Sequence, residues 1–328
     1  MPLHFRSHVA FNAGVPAKSD AQDKNAFQLQ FDIPDAKLLQ GKSEVETPYL
    51  RPFLKWAGGK TQLLPQLSQF YPKRGSVKRY IEPFLGSGAV FFHFKAMVQP
   101  REVILWDNNR ELIETFQAVR DELEQVIKLL RKHQKAHSKD FFMAMREKAP
   151  LSLAAKAARL IYLNKTCFNG LYRVNSRGVF NVPFGKHTNP GIFNEAWLRG
   201  ASEQLAGARI ETEDFRFLEL EAKKNDFIYF DPPYHPRSKT SFFTAYTRDL
   251  FGEEHQRKLA DLYRTLDKKG CLLMLSNSDT PLVRELYKDF DIREVSARRN
   301  INSRGDRRGS ICELVVLNAK LVQASSRG

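Results

Sequence analysis

The stretch from 79 to 133 alternates in a way that few folds accommodate. Arg79-Tyr80-Ile81 reads as a strand and runs into the turn Glu82-Pro83-Phe84-Leu85-Gly86-Ser87-Gly88. The apolar AVFFHFKAMV (89–98) reads as a helix, and EVILW (102–106) as a short buried strand ending at Asp107. ELIETFQAVRDELEQVIKLLRKH (111–133) has the i, i+3, i+4 spacing of one amphipathic helix. Strand, glycine turn, helix, strand, acid, helix is the signature of a parallel α/β sheet. Later segments extend it. ARIET (208–212), DFIYF (226–230) and CLLMLSNSD (271–279) read as strands, and GEEHQRKLADLYRTL (252–266) as a helix. REVSARRNINSRGDRRGSICELVVLN (293–318) reads as two strands joined by an Arg/Gly loop.

Other segments fall outside that alternation. Residues 1–49 have no sustained periodicity and are expected to form a flexible extension. FLKWAGGK (53–60) is a loop with a glycine pair, followed by a helical pattern in TQLLPQLSQFY. An Ala-rich helix over 151–163 and a helix over 195–206 bracket a stretch, 164–194, rich in Asn, Gly and aromatics. That stretch holds Lys165, Arg173, Arg177 and Lys186 and no acid. The expected organisation is a catalytic core over 50–119 and 206–318, an inserted helical and loop subdomain over 120–205, and a tail over 319–328.

Charge narrows the class. Lys and Arg outnumber Asp and Glu by 52 to 37, a formal +15. Such a surplus favours a polyanionic partner, nucleic acid being the commonest, although a basic protein with no such partner also fits it. No run of 18 apolar residues suits a membrane helix, and the N-terminus lacks the layout of a signal peptide. Cys167, Cys271 and Cys312 are odd in number and scattered, which indicates neither a disulfide framework nor a zinc site. His133 and His137, four apart, read as a solvated helix face rather than metal ligands. No metal and no membrane are expected, and the setting is cytoplasmic and nucleoid-associated.

Two constellations carry chemistry. The Gly86-x-Gly88 turn lets backbone approach a ligand beside free N–H groups at a helix N-terminus, and Asp107 sits where ribose hydroxyls are held. Tight strand–helix packing explains such a turn equally well. It lacks the third glycine of a dinucleotide fingerprint, and Lys60 lacks the frame of a P-loop. Asp231-Pro232-Pro233-Tyr234 is more specific. A buried strand delivers an acid to its ligand-binding edge, two prolines remove N–H donors, and Tyr234 offers a flat face. Carboxylate, carbonyl and aromatic plane together suit an exocyclic amine on a planar base. A proline-stiffened turn with a capping acid is the plainer alternative.

With those residues in view, the chain resembles the Dam-type (D12 class) DNA adenine N6-methyltransferases from about Arg51 to Asn318. The resemblance rests on FLKWAGGK (53–60), EPFLGSG (82–88), WDNN (106–109), YLNKTCFNGLYRVNSRGVFNVPFG (162–185), DPPY (231–234), FTAY (243–246), LSNSDT (275–280) and RRNINSRGDRRG (298–309). It implies a Rossmann-like methyltransferase sheet and S-adenosylmethionine held by Trp56, Lys60, Asp107 and Asp231. Glu82, Phe84, Gly86 and Gly88 would line that site, with Asp214 and Phe215 beside the cofactor adenine. Phe168 stands where these enzymes often have Tyr, and residues 1–49 lie outside the pattern.

Residue chemistry agrees. Methyl transfer from a sulfonium to an amine is an in-line displacement that depends on positioning. Asp231 and the Pro232 carbonyl can accept the two hydrogens of an adenine amine, and a flipped base can stack on Tyr234. The three cysteines follow Thr, Gly and Ile, not the Pro that usually precedes a cytosine-C5 nucleophile. Within 162–185, Arg173 suits a guanine edge, Asn169 or Asn175 an adenine edge, and Phe168 a wedge between bases. A structural Asn/Gly loop is the alternative. By resemblance, Lys55, Leu171, Arg173 and Pro183 occupy positions that set target sequence, with GATC preferred. The five-arginine loop 298–308, including Arg307 and Arg308, suits phosphates or simply water. Double-stranded DNA is the expected partner, a cognate restriction endonuclease a functional one, and the chain a monomer. Methylation of cytosine N4, RNA adenine or a side-chain amide is the rival chemistry, and an inactive DNA-binding relative the rival class.

Overall fold

The computed structural model describes residues 50–185, 187, 189–236, 251–297 and 311–326. The expectations for the 1–49 extension, the FTAY motif, Arg307 and Arg308 lie outside these residues. Seven strands form one sheet: β1 (Arg79–Glu82), β2 (Glu102–Asp107), β3 (Arg209–Thr212), β4 (Phe227–Phe230), β5 (Leu272–Ser278), β6 (Asp291–Ala297) and β7 (Ile311–Leu317). Their order is β3-β2-β1-β4-β5-β7-β6. The pairs from β3 through β5 are parallel, whereas β7 runs antiparallel to both β5 and β6. The sheet is therefore mixed at one edge rather than wholly parallel, because β6 and β7 are sequence neighbours that pair directly with each other.

The strands read as continuous apolar runs because both faces are covered. Tyr80, Leu105, Phe227, Tyr229 and Met274 fall in one core, while Ile81, Ile104, Trp106, Ile228, Phe230 and Leu275 fall in the other. The period of two sends successive side chains to opposite sides. On the first face lie α1 (Leu64–Leu67), α2 (Ala89–Val98) and α3 (Arg110–Asp121). The helices inserted between β2 and β3 share that core: α4 (Leu123–Lys135), α5 (Lys139–Glu147), α6 (Leu153–Thr166) and α7 (Glu195–Leu205). On the second face lie α8 (Leu218–Glu221), α9 (Glu253–Lys269) and α10 (Pro281–Leu286). α11 (Ala319–Ser326), in the stretch read as a tail, returns to the first face through Leu321.

Two local readings are corrected. The helix expected over 111–133 is two, broken at Glu122 (φ −126°, ψ 31°). The break has a purpose: the Glu122 carboxylate accepts the Ala154 N–H at 3.0 Å and so satisfies the start of α6. His133 does not lie on a solvated face. It is buried against Phe141 and Tyr162, and the Tyr162 hydroxyl lies 2.9 Å from Nδ1 of His137. The apolar stripe of α4 runs through Val126, Ile127 and Leu130 and carries His133 inward with it.

Candidate active site

The strand order reverses at β1, whose neighbours are β2 on one side and β4 on the other. Crevices at such points, outside the carboxyl ends of the strands, are where ligands bind in open α/β sheets. Here those ends carry Glu82 on β1, Asp107 on β2 and Asp231 just past β4. Burial raises the pKa of all three carboxyls. Asp231 is pushed up to about 6, with Lys60 opposing the shift. Glu82 is buried and rises well above the carboxylate range, although the Tyr80 hydroxyl, 2.6 Å away, pulls the other way. Asp107 rises less far against two backbone N–H donors, Asn109 at 2.9 Å and Gly86 at 3.0 Å.

The 53–60 loop folds over these acids. Lys60 is 3% exposed, and its Nζ lies 2.8 Å from Asp231 Oδ1 and 4.6 Å from the centre of the Tyr234 ring. Tyr234 donates its hydroxyl to Glu313 on β7 at 2.6 Å. Trp56 lies over Gly86, where φ is +49° and an added Cβ would meet the indole Cδ1 at 3.2 Å. Gly88, at φ +71°, has no room either: a Cβ would sit 3.2 Å from Phe92 and 3.3 Å from Phe116. Only glycine takes both the left-handed backbone and that proximity without strain. Phe84 stacks on Phe215 at 5.5 Å, and Phe251 closes on both at 5.7 Å. Asp214 starts the turn that holds Phe215, and its carboxylate is spent on the Arg216 N–H and guanidinium. A separate groove of about 330 Å³ beside Trp106, Arg209 and Phe217 is lined by none of the expected site residues.

The segment expected to read DNA is stitched to this loop. Asn164, fully buried, accepts the Lys55 N–H at 2.8 Å and donates to the Lys55 carbonyl at 2.7 Å and the Gly170 carbonyl at 3.0 Å. Gly170 is pressed on the Lys55 side chain: a Cβ there would lie 2.5 Å from its Cδ. The Phe168 N–H donates to the Pro183 carbonyl at 2.8 Å. Lys55, Phe168, Asn169, Leu171 and Pro183 are thus brought into one neighbourhood, with Asn169 in the left-handed region at φ +54°. Arg173 is held by Asn181, Nε to Oδ1 at 2.8 Å and Nη2 to the carbonyl at 3.2 Å. The Asn175 side-chain oxygen is spent on a turn, accepting the N–H groups of Arg177 and Val179. That leaves only its amide nitrogen for a base edge, whereas a bidentate grip on adenine uses both atoms. Lys165, beside Lys55, is held down at about 8 by burial and by the neighbouring lysine charge. The thiols of Cys167 and Cys271 are buried, which raises them to about 12 and about 11, so neither is poised as a nucleophile.

Several residues around the site are not singled out by the sequence, although Tyr172 and Asn277 lie inside the stretches 162–185 and 275–280. Tyr172 stacks on Trp56 at 5.2 Å and donates its hydroxyl to Glu111 at 2.8 Å. Gln256, Asn277 and Glu313 come from α9, β5 and β7, and converge on residues 233–235. Phe251 joins Phe84 and Phe215. Tyr172 and Asn277 leave a trace as members of those stretches, and Gln256 as a polar residue on an otherwise apolar helix stripe.

Residues 56–301 match the family described as D12 class N6 adenine-specific DNA methyltransferase. The chain is 42% identical over 277 residues to the type II methyltransferase M1.LlaDCHI of Lactococcus lactis subsp. cremoris, covering 82% of this chain and 95% of that one. It is 41% identical over 286 residues to the type II methyltransferase M.MjaIII of Methanocaldococcus jannaschii, covering 82% and 99%. It is 34% identical over 288 residues to the DNA adenine methylase of Haemophilus influenzae, covering 85% and 98%.

Proposed function

The chain belongs to the D12 class N6 adenine-specific DNA methyltransferase family, and from that premise we propose that it methylates adenine N6 within GATC in duplex DNA by base flipping. The reaction of the family is methyl transfer to adenine N6, with S-adenosylmethionine as donor. The observation that carries the reading is Asp231, a half-buried carboxylate at the carboxyl edge of β4 with the Tyr234 ring beside it. The residues present fit the donor. Asp107 and Asp231 at two strand ends suit a cation, Trp56 packs directly on the side-chain-free Gly86, and the Phe84–Phe215–Phe251 cluster suits a planar base.

When bound, the donor supplies an electrophilic methyl on a sulfonium. The chain does the rest. Trp56 and Asp107 bound the donor site, and Asp107 keeps a lone pair on each oxygen after holding the Gly86 and Asn109 N–H groups. The Asp231 carboxylate and Pro232 carbonyl each accept one N–H of the target amine. That favours a tetrahedral nitrogen whose lone pair points out of the ring plane. Tyr234 stacks on the flipped base, its tilt fixed by Glu313. Lys60, assigned from the sequence to the cofactor, sits between Asp231 and Tyr234 and so acts on the target-base side as well.

For recognition, Lys55 and Arg173 read guanine edges, and Leu171 and Pro183 flank the site. Phe168 fills the gap left by the departing base, and Asn169 contacts an adenine edge. The stitching of 55, 164, 168–170 and 183 supports one reading surface. The inserted helices over 120–205 form the recognition subdomain. In this reading the protein acts in the cytoplasm on the nucleoid as a monomer, either solitary or alongside a cognate restriction endonuclease. Single-base sequencing of methylated plasmid tests the reading. N6-methyladenine confined to GATC is expected, and methylation at another motif would remove the site assignment while leaving the reaction.

A further inference from the structure

The catalytic loop leaves β4 with little to align it, since Pro232 and Pro233 carry no N–H and the ladder ends at Phe230. A relay of buried side chains does so instead. Gln256 donates Nε2 to the Pro233 carbonyl at 2.9 Å, and its Oε1 accepts from Nδ2 of Asn277 at 2.9 Å. Asn277 Oδ1 in turn accepts the backbone N–H of His235 at 3.3 Å and of Ser278 at 2.8 Å. The Ser278 hydroxyl donates to the His235 carbonyl at 2.5 Å. Both amides are 0% exposed. Burying an amide costs free energy unless its groups are matched, and here the matches fall on the loop. Gln256 also stands one turn before Leu259 and Ala260 on the core face of α9, where an apolar residue would continue the stripe. Breaks of that kind in an otherwise consistent pattern mark functional positions.

We propose that Gln256 and Asn277 are positioning residues for methyl transfer, holding the Pro233 carbonyl toward α9 so that the Asp231 carboxylate and Pro232 carbonyl face the target amine. The proposal rests on the reading of Asp231 as an amine acceptor. Neither residue touches the reacting atoms. Their effect falls on kcat and not on binding, because a misplacement of about 1 Å costs roughly 100-fold in rate.

The test is steady-state methylation of unmethylated plasmid by wild type, Gln256→Leu, Gln256→Glu and Asp231→Ala across pH, with cofactor affinity by calorimetry. Gln256→Leu should lower kcat by about 10- to 100-fold, leaving DNA KM and cofactor affinity within about twofold. Gln256→Glu supplies a signature that loss of packing would not. A protonated carboxyl can still donate to Pro233 and accept from Asn277, whereas a carboxylate cannot donate. The ratio of variant to wild-type kcat should therefore fall as pH rises. Asp231 and His235 on the loop, Lys60, Glu313 on β7 and His255 on α9 are common to both proteins, so the ratio isolates position 256. A wild-type kcat in Gln256→Leu, or a ratio flat across pH, overturns the proposal. If Gln256→Leu does not fold, the Gln256→Glu ratio decides alone. Near-wild-type activity in Asp231→Ala would instead overturn the reading of the loop. A dead Asp231→Ala with normal Gln256 variants overturns only the relay.

Discussion

Asp231 is asked to be an acceptor in a place that disfavours its charge. Burial raises its pKa to about 6 and Glu313 adds to that, while Lys60 at 2.8 Å pulls it back. A carboxylate accepts two N–H bonds, but its protonated form gives up acceptor capacity. The folded pKa lies above the usual value, so the competent form is lost as pH falls through about 6. We expect kcat/KM of the free enzyme to show an acidic limb there, and a rate independent of pH between 5 and 8 would contradict the assignment. Asp231→Ala should cost on the order of 100- to 1,000-fold in kcat, the range for removing one preorganised polar partner. Its thermal midpoint should hold. Lys60→Met separates two roles. If the lysine acts through Asp231, losing it raises the Asp231 pKa and moves the acidic limb to higher pH. If it serves only the donor, cofactor affinity falls and the limb stays at about 6.

At the level of elements, the turn at 168–171 and the 53–60 loop are bolted together twice, by Asn164 between Lys55 and Gly170 and by Tyr172 on Trp56. Tyr172 lies between Leu171 and Arg173 in the chain, so its ring ties the segment proposed to read DNA to Trp56, the proposed wall of the cofactor site. Tyr172→Leu should weaken cofactor binding by about 0.5–1.5 kcal/mol, the worth of one aromatic pair. Tyr172→Phe keeps the stack and loses only the Glu111 bond, so calorimetry with and without duplex should find it close to wild type. The strands, α2 and the Gly86-x-Gly88 turn were legible in the sequence because their signals are local: apolar runs, helical periodicity and a strand-to-helix glycine turn. The Asp231 loop was legible for the same reason. The roles of Tyr172, Asn164, Gln256, Asn277 and Glu313 were not, because contact across long separations assigns them, even where the stretches 162–185 and 275–280 contain the residue. Asn164 meets Lys55 over 109 residues and Tyr234 meets Glu313 over 79. The break at Glu122 was hidden because the apolar stripe runs on unbroken through Val119 and Val126. The β6–β7 pair was legible as two strands joined by a loop, but the apolar run of β7 carries no mark of its place beside β5.

Across the whole molecule, a formal charge of +15 gives DNA affinity that sequence alone does not direct, so reading and holding must be divided among the cations. Arg173 has the marks of a reader. Asn181 grips its guanidinium from two atoms, which fixes the planar fork before any base arrives and reduces the ordering cost of binding. Arg307 and Arg308, in an arginine- and glycine-rich run, have the composition of phosphate holders. The two roles respond differently to salt and to base changes. Arg173→Ala should cost roughly 1–3 kcal/mol of discrimination at one base pair and leave the salt slope nearly unchanged. Asn181→Ala should reproduce part of that loss, because the fork remains but is no longer held. Replacing Arg307 and Arg308 by Ala should weaken binding to every duplex alike and flatten the slope of log K against log salt by about one per lost phosphate contact. The measurement is the methylation rate on oligonucleotides carrying each single substitution in GATC, with binding titrated at several salt concentrations. If Arg173→Ala slows every substrate by the same factor while the Arg307 variant changes the preferred base, the assignment of the two roles is reversed.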